Sequence, residues 1–304
     1  MEGKTRRGGL VGPIILITLG VVFLMNNLGV LDWSVWVVIF RLWPVLLIAA
    51  GLDILVGRRS FLGSLLALVL TLAVLAGALW LVGTGVVTWQ PAAVEEISQP
   101  LGEATQADVV IAPAVGPLHV ASLVDSTDLV AGTLHLGKWE SVKRDFAVEG
   151  ETAMFTLRGE GAFMAPAGGW GDGRGWDVGL NSGVPLDLEV SLGVGDSEVD
   201  LTGLTVSDLK VSMGLGRTTV TLPDEGDFRA KVDGAIGQTI VVIPAGLAAR
   251  VRVDAALAGS DVPDSYQQQG DVYVSPGYAD AENRVDLEVG QAIGSVVIRR
   301  AGGE

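Results

Sequence analysis

The sequence predicts two parts, a membrane region of three α-helices followed by an all-β domain. Residues 10–83 hold three long apolar runs with few charges, each close to the roughly 20 residues that a helix needs to cross a bilayer. Beyond residue 106 apolar and polar residues alternate, which is typical of half-buried strands. Glycine recurs every 21 or 22 residues over part of the last third of the chain. This period favours a stack of β-coils, a β-solenoid; a β-sandwich is the alternative.

The membrane region follows residues 1–9 and is predicted to cross the bilayer at residues 10–31, 34–57 and 61–83. None of these runs has the polar stripe at helical period that a helix of a soluble domain shows. Arg41 and Pro44 interrupt the second run. An alternative is that they divide it into an interfacial helix and a shorter span, which leaves the topology unchanged. A cleaved signal peptide is disfavoured because no small-x-small cleavage site follows the first run.

Charge and tryptophan placement predict the orientation of the spans. Basic residues precede the first run and fill the turn between the second and third: Lys4, Arg6, Arg7, Arg58 and Arg59. By the positive-inside rule these positions are cytoplasmic, and the rest of the chain after residue 83 lies outside the cytoplasm. Indole rings favour the membrane interface, and five tryptophans fit the outer one: Trp33, Trp36, Trp80, Trp89 and, if the second span begins near Arg41, Trp43.

The charge balance differs between the two parts and excludes several function classes. The chain carries −15 and residues 1–89 carry +3, so the remainder carries −18, which argues for two compartments. An acidic domain lacks the basic footprint that nucleic acids require. The chain has no cysteine, which excludes disulfides, thiolate metal sites and cysteine nucleophiles.

The β-domain is predicted to begin after a polar connector at residues 84–106. Residues 107–183 form its first part and include a glycine-rich loop at 159–183, and residues 184–304 form its repeat part. Valines spaced by 21 residues are expected to stack in one column of the core: Val190, Val211, Val232 and Val253. The coil corners are predicted at five glycines, because a tight corner needs positive φ or close backbone approach: Gly195, Gly216, Gly237, Gly259 and Gly294.

No catalytic, metal or cofactor site is predicted. His119 and His135 are the only histidines, and Asp172 and Asp177 lie in or beside the glycine-rich loop without a complete calcium motif. Many carboxylates alternate with apolar residues along the strands, so no acid pair for glycoside hydrolysis stands out. The sequence contains no nucleophile elbow, P-loop or metalloprotease helix.

Several segments are similar to known bacterial proteins. The sequence Leu-Met-Asn-Asn-Leu-Gly-Val-Leu at 24–31, the segment 42–48 and Gly-Arg-Arg at 57–59 resemble the membrane region of LiaI- and LiaF-like proteins. Segments 184–188 and 199–204, with the Gly-x-Gly corners, resemble the toastrack β-domain. The resemblance implies an envelope protein that responds to cell-wall-active antibiotics, typically by modulating a membrane histidine kinase.

The expected function is that of a non-enzymatic sensor or regulator of envelope stress, anchored in the cytoplasmic membrane by several spans. Its expected partners are the lipid bilayer and, by the resemblance, a membrane histidine kinase or another envelope protein. Two alternatives remain. One is a structural or adhesive surface module, in which the β-domain is a rigid spacer. The other is a carbohydrate-active enzyme, for which fold alone gives no support.

Overall fold

The computed structural model describes residues 93–124, 126–137, 140–161 and 174–302. The predicted spans therefore lie outside the described residues, as do the interface tryptophans and the basic residues that set the orientation: Trp33, Trp36, Trp43, Trp80, Trp89, Lys4, Arg6, Arg7, Arg58 and Arg59. In the part of the chain that is described, no helix has the length and apolar character to cross a membrane.

The described chain is an all-β domain of fourteen strands with one short 3₁₀ helix, Tyr278–Asp280. The first seven strands are β1 (Ala93–Pro100), β2 (Gln106–Ala112), β3 (Leu118–Leu123), β4 (Asp128–Leu136), β5 (Ser141–Glu149), β6 (Thr152–Glu160) and β7 (Gly175–Asn181). The others are β8 (Leu186–Asp200), β9 (Val206–Thr221), β10 (Asp227–Ile243), β11 (Ala248–Asp261), β12 (Gln267–Gln269), β13 (Val272–Val274) and β14 (Arg284–Arg300).

The predicted connector at 84–106 is wrong in its second half, because β1 lies there. β1 pairs antiparallel with β4 from Ala93↔Leu136 onward, and Ile97 is buried against the core. Few residues of β1 are apolar, so the alternation of apolar and polar residues did not predict this strand. The predicted glycine-rich loop at 159–183 also overlaps two strands, since β6 extends to Glu160 and Gly175–Asn181 form β7.

Five long strands fold back on themselves. β8 and β9 are parallel neighbours, yet only five residues, 201–205, connect the end of one to the start of the other. Those residues span at most about 20 Å, whereas a straight 15-residue strand would be about 50 Å long. Each such strand must therefore reverse direction partway. We call β8, β9, β10, β14 and β11 the bent strands.

The reversal creates two walls around one core. The first wall consists of β5, β6 and β2, then the first halves of the bent strands, then β13 and β12; the second consists of β1, β4, β7 and β3, then their second halves. Along β8, Leu188 and Val190 are buried before the bend and Val199 after it. Both halves therefore turn an apolar side inward.

Four of the five predicted corner glycines lie at the bends. Gly195, Gly216, Gly237 and Gly294 have φ between 133° and 149°, where a side chain is disfavoured. They also stack in register across β8, β9, β10 and β14. A Cβ on any of the last three would overlap the carbonyl oxygen of the preceding glycine in the stack. Glycine is thus required both for φ and for close approach.

Gly259 is not a corner, because β14 does not follow β11 in the sheet. β14 is inserted between β10 and β11, and it is Ala258 that pairs with Gly294. The predicted valine column is altered in the same way. Its true order is Val190, Val211, Val232, Val289 and Val253. The 21-residue register holds from β8 to β10 and then gives way to a long-range pairing.

Two interrupted strand pairs follow the path of the bent strands. β2 pairs with the first half of β8 and β3 with its second half, while Gly116 occupies the corner between them, with φ 116° and its carbonyl against Gly195. In turn β6 pairs with β2, and β7 with β3. β6 and β7 therefore continue the two walls beyond β2 and β3.

Candidate functional site

A concave surface lies on the outer face of the first wall. Side chains of β9, β10, β14, β11 and β13 line an open groove of about 490 Å³. The groove is lined by polar side chains because successive residues of a strand point to opposite faces. Leu209, Ala230 and Leu287 are buried in the core, so the residues on either side of them point outward. These neighbours are almost all charged.

Five cations form what we call the basic patch: Lys210, Arg229, Lys231, Arg250 and Arg252. The strand register places them in two rows. Asp208, Arg229, Asp286 and Arg250 are adjacent in one, and Lys210, Lys231, Glu288 and Arg252 in the other. Because the patch recurs at 21-residue intervals, its signal was already present in the sequence. These five cations were not predicted as a site, because their adjacency follows only from the strand register.

The two arginines of β11 are neutralised by β14. Arg250 Nε lies 2.6 Å from Asp286 Oδ1 and Arg252 Nη1 lies 3.5 Å from Glu288 Oε1. Tyr278 also donates a hydrogen bond of 2.9 Å to Asp286. Partial burial raises the pKa of the Tyr278 hydroxyl, and the hydrogen bond to the aspartate adds to that rise. This side of the groove is therefore electrically balanced.

The cations of β9 and β10 are less completely paired. Lys210 lies 3.0 Å from Glu189, and Lys231 lies 3.6 Å from Asp233. Among the described residues, the Arg229 guanidinium makes no hydrogen bond or ion pair. Lys210 and Lys231 are also direct neighbours across two strands, and like charges in that position destabilise a sheet. The adjacent placement of these two lysines therefore does not contribute to the stability of the domain.

An acidic band borders the basic patch. Asp108, Asp187 and Asp208 are in register across β2, β8 and β9. Desolvation raises the pKa of the Asp187 carboxyl, and the charges of Asp108 and Asp208 raise it further. Like charges are again adjacent. The outer face of the first wall thus presents segregated negative and positive areas, which suits recognition of a charged partner.

The polar residues singled out in the sequence do not assemble into a reactive site. His119 lies on β3 beside Asp177 of β7 and Glu198 of β8, and its Nδ1 is 3.4 Å from the Glu198 carboxylate in an exposed position. His135 lies on β4, and Asp172 is outside the described residues. The described part of the chain contains no group of three or more histidines and acids arranged to hold a metal ion.

A partly buried acid, Glu140, lies just before β5 and near the start of β7. One oxygen of Glu140 accepts a 3.0 Å hydrogen bond from the Gly137 N–H. The other oxygen, like the indole N–H of the buried Trp176, has no hydrogen-bond partner among the described residues. Burial raises the pKa of Glu140, and the Gly137 N–H and Arg174 oppose this effect. Arg174 is the one charged side chain that shifts the pKa of Glu140 in the described part of the chain, so no cluster of titratable groups forms there.

A solved structure with a similar fold is known. A candidate cell adhesion protein from Clostridium sporogenes aligns with a TM-score of 0.61 at 17% identity, over 68% of this chain and 99% of that chain. A candidate adhesin from Bacteroides fragilis aligns with a TM-score of 0.25 at 10% identity, over 69% of this chain and 99% of that chain. The first likeness concerns the fold alone, and the second carries no weight. No curated protein sequence matches the chain.

Two family models match the sequence. The LiaI-LiaF-like transmembrane region matches residues 10–55, and the N-terminal domain of toast_rack matches residues 90–242, half of the chain. Both matches confirm the resemblance that the sequence motifs suggested. The second covers the strands from β1 through nearly all of β10, including the acidic band and three cations of the basic patch. The chain therefore belongs to the toast_rack family.

Proposed function

We propose that this protein is a non-enzymatic regulator of the envelope stress response, anchored by several spans within residues 10–83 and presenting its β-domain outside the cytoplasm. The observation that carries the proposal is the presence, on one chain, of a LiaI-LiaF-like transmembrane region and a toast_rack domain. A membrane histidine kinase, or another envelope protein, is the proposed partner.

The groove on the first wall is the surface that we assign to partner contact. Exposed ion pairs each contribute only about 0–1 kcal/mol to stability, so the dense charges there have little structural value. Segregated charges instead speed association and exclude wrong partners. The incompletely paired Arg229 and Lys231 would attract carboxylates of the partner, and the acidic band would attract its cations.

A non-catalytic role is supported by the exposure of the groove and by the two family models. An enzyme site brings together titratable groups with opposed environments. In the described residues the charged side chains of the groove are about half exposed, and neither family model describes an enzyme. We therefore assign the protein no reaction and no cofactor.

Two variants test the proposal in cells exposed to a cell-wall antibiotic. Arg229→Glu with Lys231→Glu should reduce the transcriptional response several-fold, because it replaces two cations in the groove by acids. Arg299→Glu, also an exposed arginine but on the second wall, is the matched control and should leave the response unchanged. Equal responses from all three proteins would remove the groove from the mechanism.

Replacing the membrane region tests coupling through the spans. A chimera with an unrelated three-span anchor before Ala93 should insert and fold but fail to restore the response. Full restoration would instead favour the second candidate function, a structural or adhesive surface module. That candidate is favoured by the likeness of the fold to the candidate cell adhesion protein. Adhesion of whole cells, measured in parallel, should then depend on the β-domain alone.

A further inference from the structure

Exposed apolar side chains concentrate at one lateral edge of the β-domain. Among the described residues, six large apolar side chains are exposed: Val94, Val124, Phe146, Val148, Met154 and Leu257. Four of these six lie on β1, β5 and β6. Within the described chain β5 pairs only with β6, and β1 only with β4, so β5 and β1 are the edge strands of the two walls. We call this side of the domain the β1–β5 edge.

Phe146 and Val148 lie on the core-facing side of β5 without being covered by the core. In an antiparallel pair, opposite residues point to the same side. Phe146 is opposite Phe155 and Val148 is opposite Ala153, and these two residues of β6 are only 3% and 0% exposed. Phe146 and Val148 themselves are 41% and 52% exposed. β5 therefore extends beyond the core as an apolar overhang.

The overhang faces the edge of the second wall. Arg144, on the same side of β5, forms an ion pair with Glu95 of β1, which joins the two edges at one point. The remaining length of β5 presents unpaired backbone groups together with Phe146 and Val148. Such an edge invites aggregation when nothing covers it. An apolar or interfacial surface is the kind of partner that would protect it.

The position of the edge in the chain identifies that partner. β1 starts at Ala93, and nine residues, 84–92, separate it from the end of the last predicted span. That segment can extend at most about 33 Å. The opposite edge, at β11, lies eight strand spacings away along the second wall, or about 40 Å. The tether therefore limits the start of β1 to within about 33 Å of the bilayer, whereas the β11 edge can lie about 40 Å further away.

We propose that the β1–β5 edge rests on the phospholipid surface, with Phe146 and Val148 inserted in the interfacial layer. This inference rests on the membrane anchoring of the proposed function but not on the orientation or on the signalling role. Docking would hold β10 about five strand spacings, or roughly 24 Å, above the lipid. The groove would then face the extramembrane part of a neighbouring membrane protein.

Site-directed spin labelling of the full chain tests the docking. The chain has no cysteine, so Val148→Cys and Leu257→Cys each give a single nitroxide position. Leu257, 77% exposed on β11, is the matched control at the far edge. In phosphatidylcholine nanodiscs, relaxation of the label at 148 should be enhanced more by oxygen than by a water-soluble nickel complex, and the label at 257 should show the reverse.

Three results would overturn the proposal. The label at 148 would be as accessible to nickel as the label at 257 if the edge stayed in water. It would be protected from both reagents if residues 84–92 or a second copy of the chain covered the edge. Finally, Phe146→Ser should abolish the oxygen preference at 148 while circular dichroism stays unchanged, and an undiminished preference would contradict anchoring by these side chains. Co-elution with the nanodisc checks membrane insertion separately.

Discussion

The bent strands and the interrupted strand pairs follow the same path but make the turn between the walls differently. In β8, β9, β10 and β14 a single glycine with positive φ reverses the chain within a continuous strand. Between β2 and β3 the corner takes five residues, 113–117, including Pro113 and Pro117. The wall pairing is preserved in every case. Pairing between strands therefore defines the fold, and the corner can vary.

The largest expected effect on stability comes from adding a methyl group at one of the stacked glycine corners. Gly216→Ala should lower the free energy of unfolding by about 3 kcal/mol or more, because the Cβ would overlap the Gly195 carbonyl oxygen and the residue has φ 142°. Gly246→Ala is the control, since its Cβ would meet only one atom, at 3.9 Å, and should change stability by less than about 0.5 kcal/mol. Urea unfolding measures both, and equal losses would refute the role of the corner.

The interrupted corner should tolerate the same methyl group better. Gly116 also has positive φ, at 116°, but an added Cβ would have its nearest neighbour at 3.7 Å. Gly116→Ala should therefore cost about 1–2 kcal/mol, the conformational cost alone. The same unfolding series measures it. A loss as large as that of Gly216→Ala would mean that the corner of β2 and β3 is packed as tightly as the others.

The position of β14 can be tested by energetic coupling. Val232 and Val289 are adjacent in the core, whereas β14 separates Val232 from Val253. A double-mutant cycle of Val232→Ala with Val289→Ala should give a coupling energy of about 0.5–1 kcal/mol, and Val232→Ala with Val253→Ala should be nearly additive. The opposite result would restore the column in which Val253 follows Val232 directly.

The smallest expected effect concerns Glu140, beside the interrupted pair β6 and β7. Because burial raises its pKa in the folded state, its favourable contribution is present at low pH and is lost as pH rises through the raised pKa. Glu140→Gln should thus be at least as stable as the parent at pH 7 and should lose this advantage towards pH 4.5. Thermal melting of both proteins over this range gives the difference, and a pH-independent difference would contradict the assignment.

Features set by local spacing could be predicted from the sequence, whereas features set by long-range pairing could not. The all-β character and the corners at Gly195, Gly216 and Gly237 were visible because consecutive strands pair at a constant 21-residue offset. Gly116 was missed because its strand partner, β8, is 79 residues further along the chain at Gly195. The basic patch was visible as a spacing, but only the register shows that Lys210 and Lys231 are neighbours.

By itself the sequence determined the period, the apolar side of each strand and the glycine corners, since these depend on φ and on alternation within about 20 residues. It also carried the motifs of both family regions. Only the tertiary structure decided three features: β14 pairs between β10 and β11, β1 is the edge strand of the second wall, and β5 extends beyond the core. These features depend on pairings between distant segments, and an alternating strand fits more than one neighbour equally well. The choice among neighbours was made by packing of the whole core.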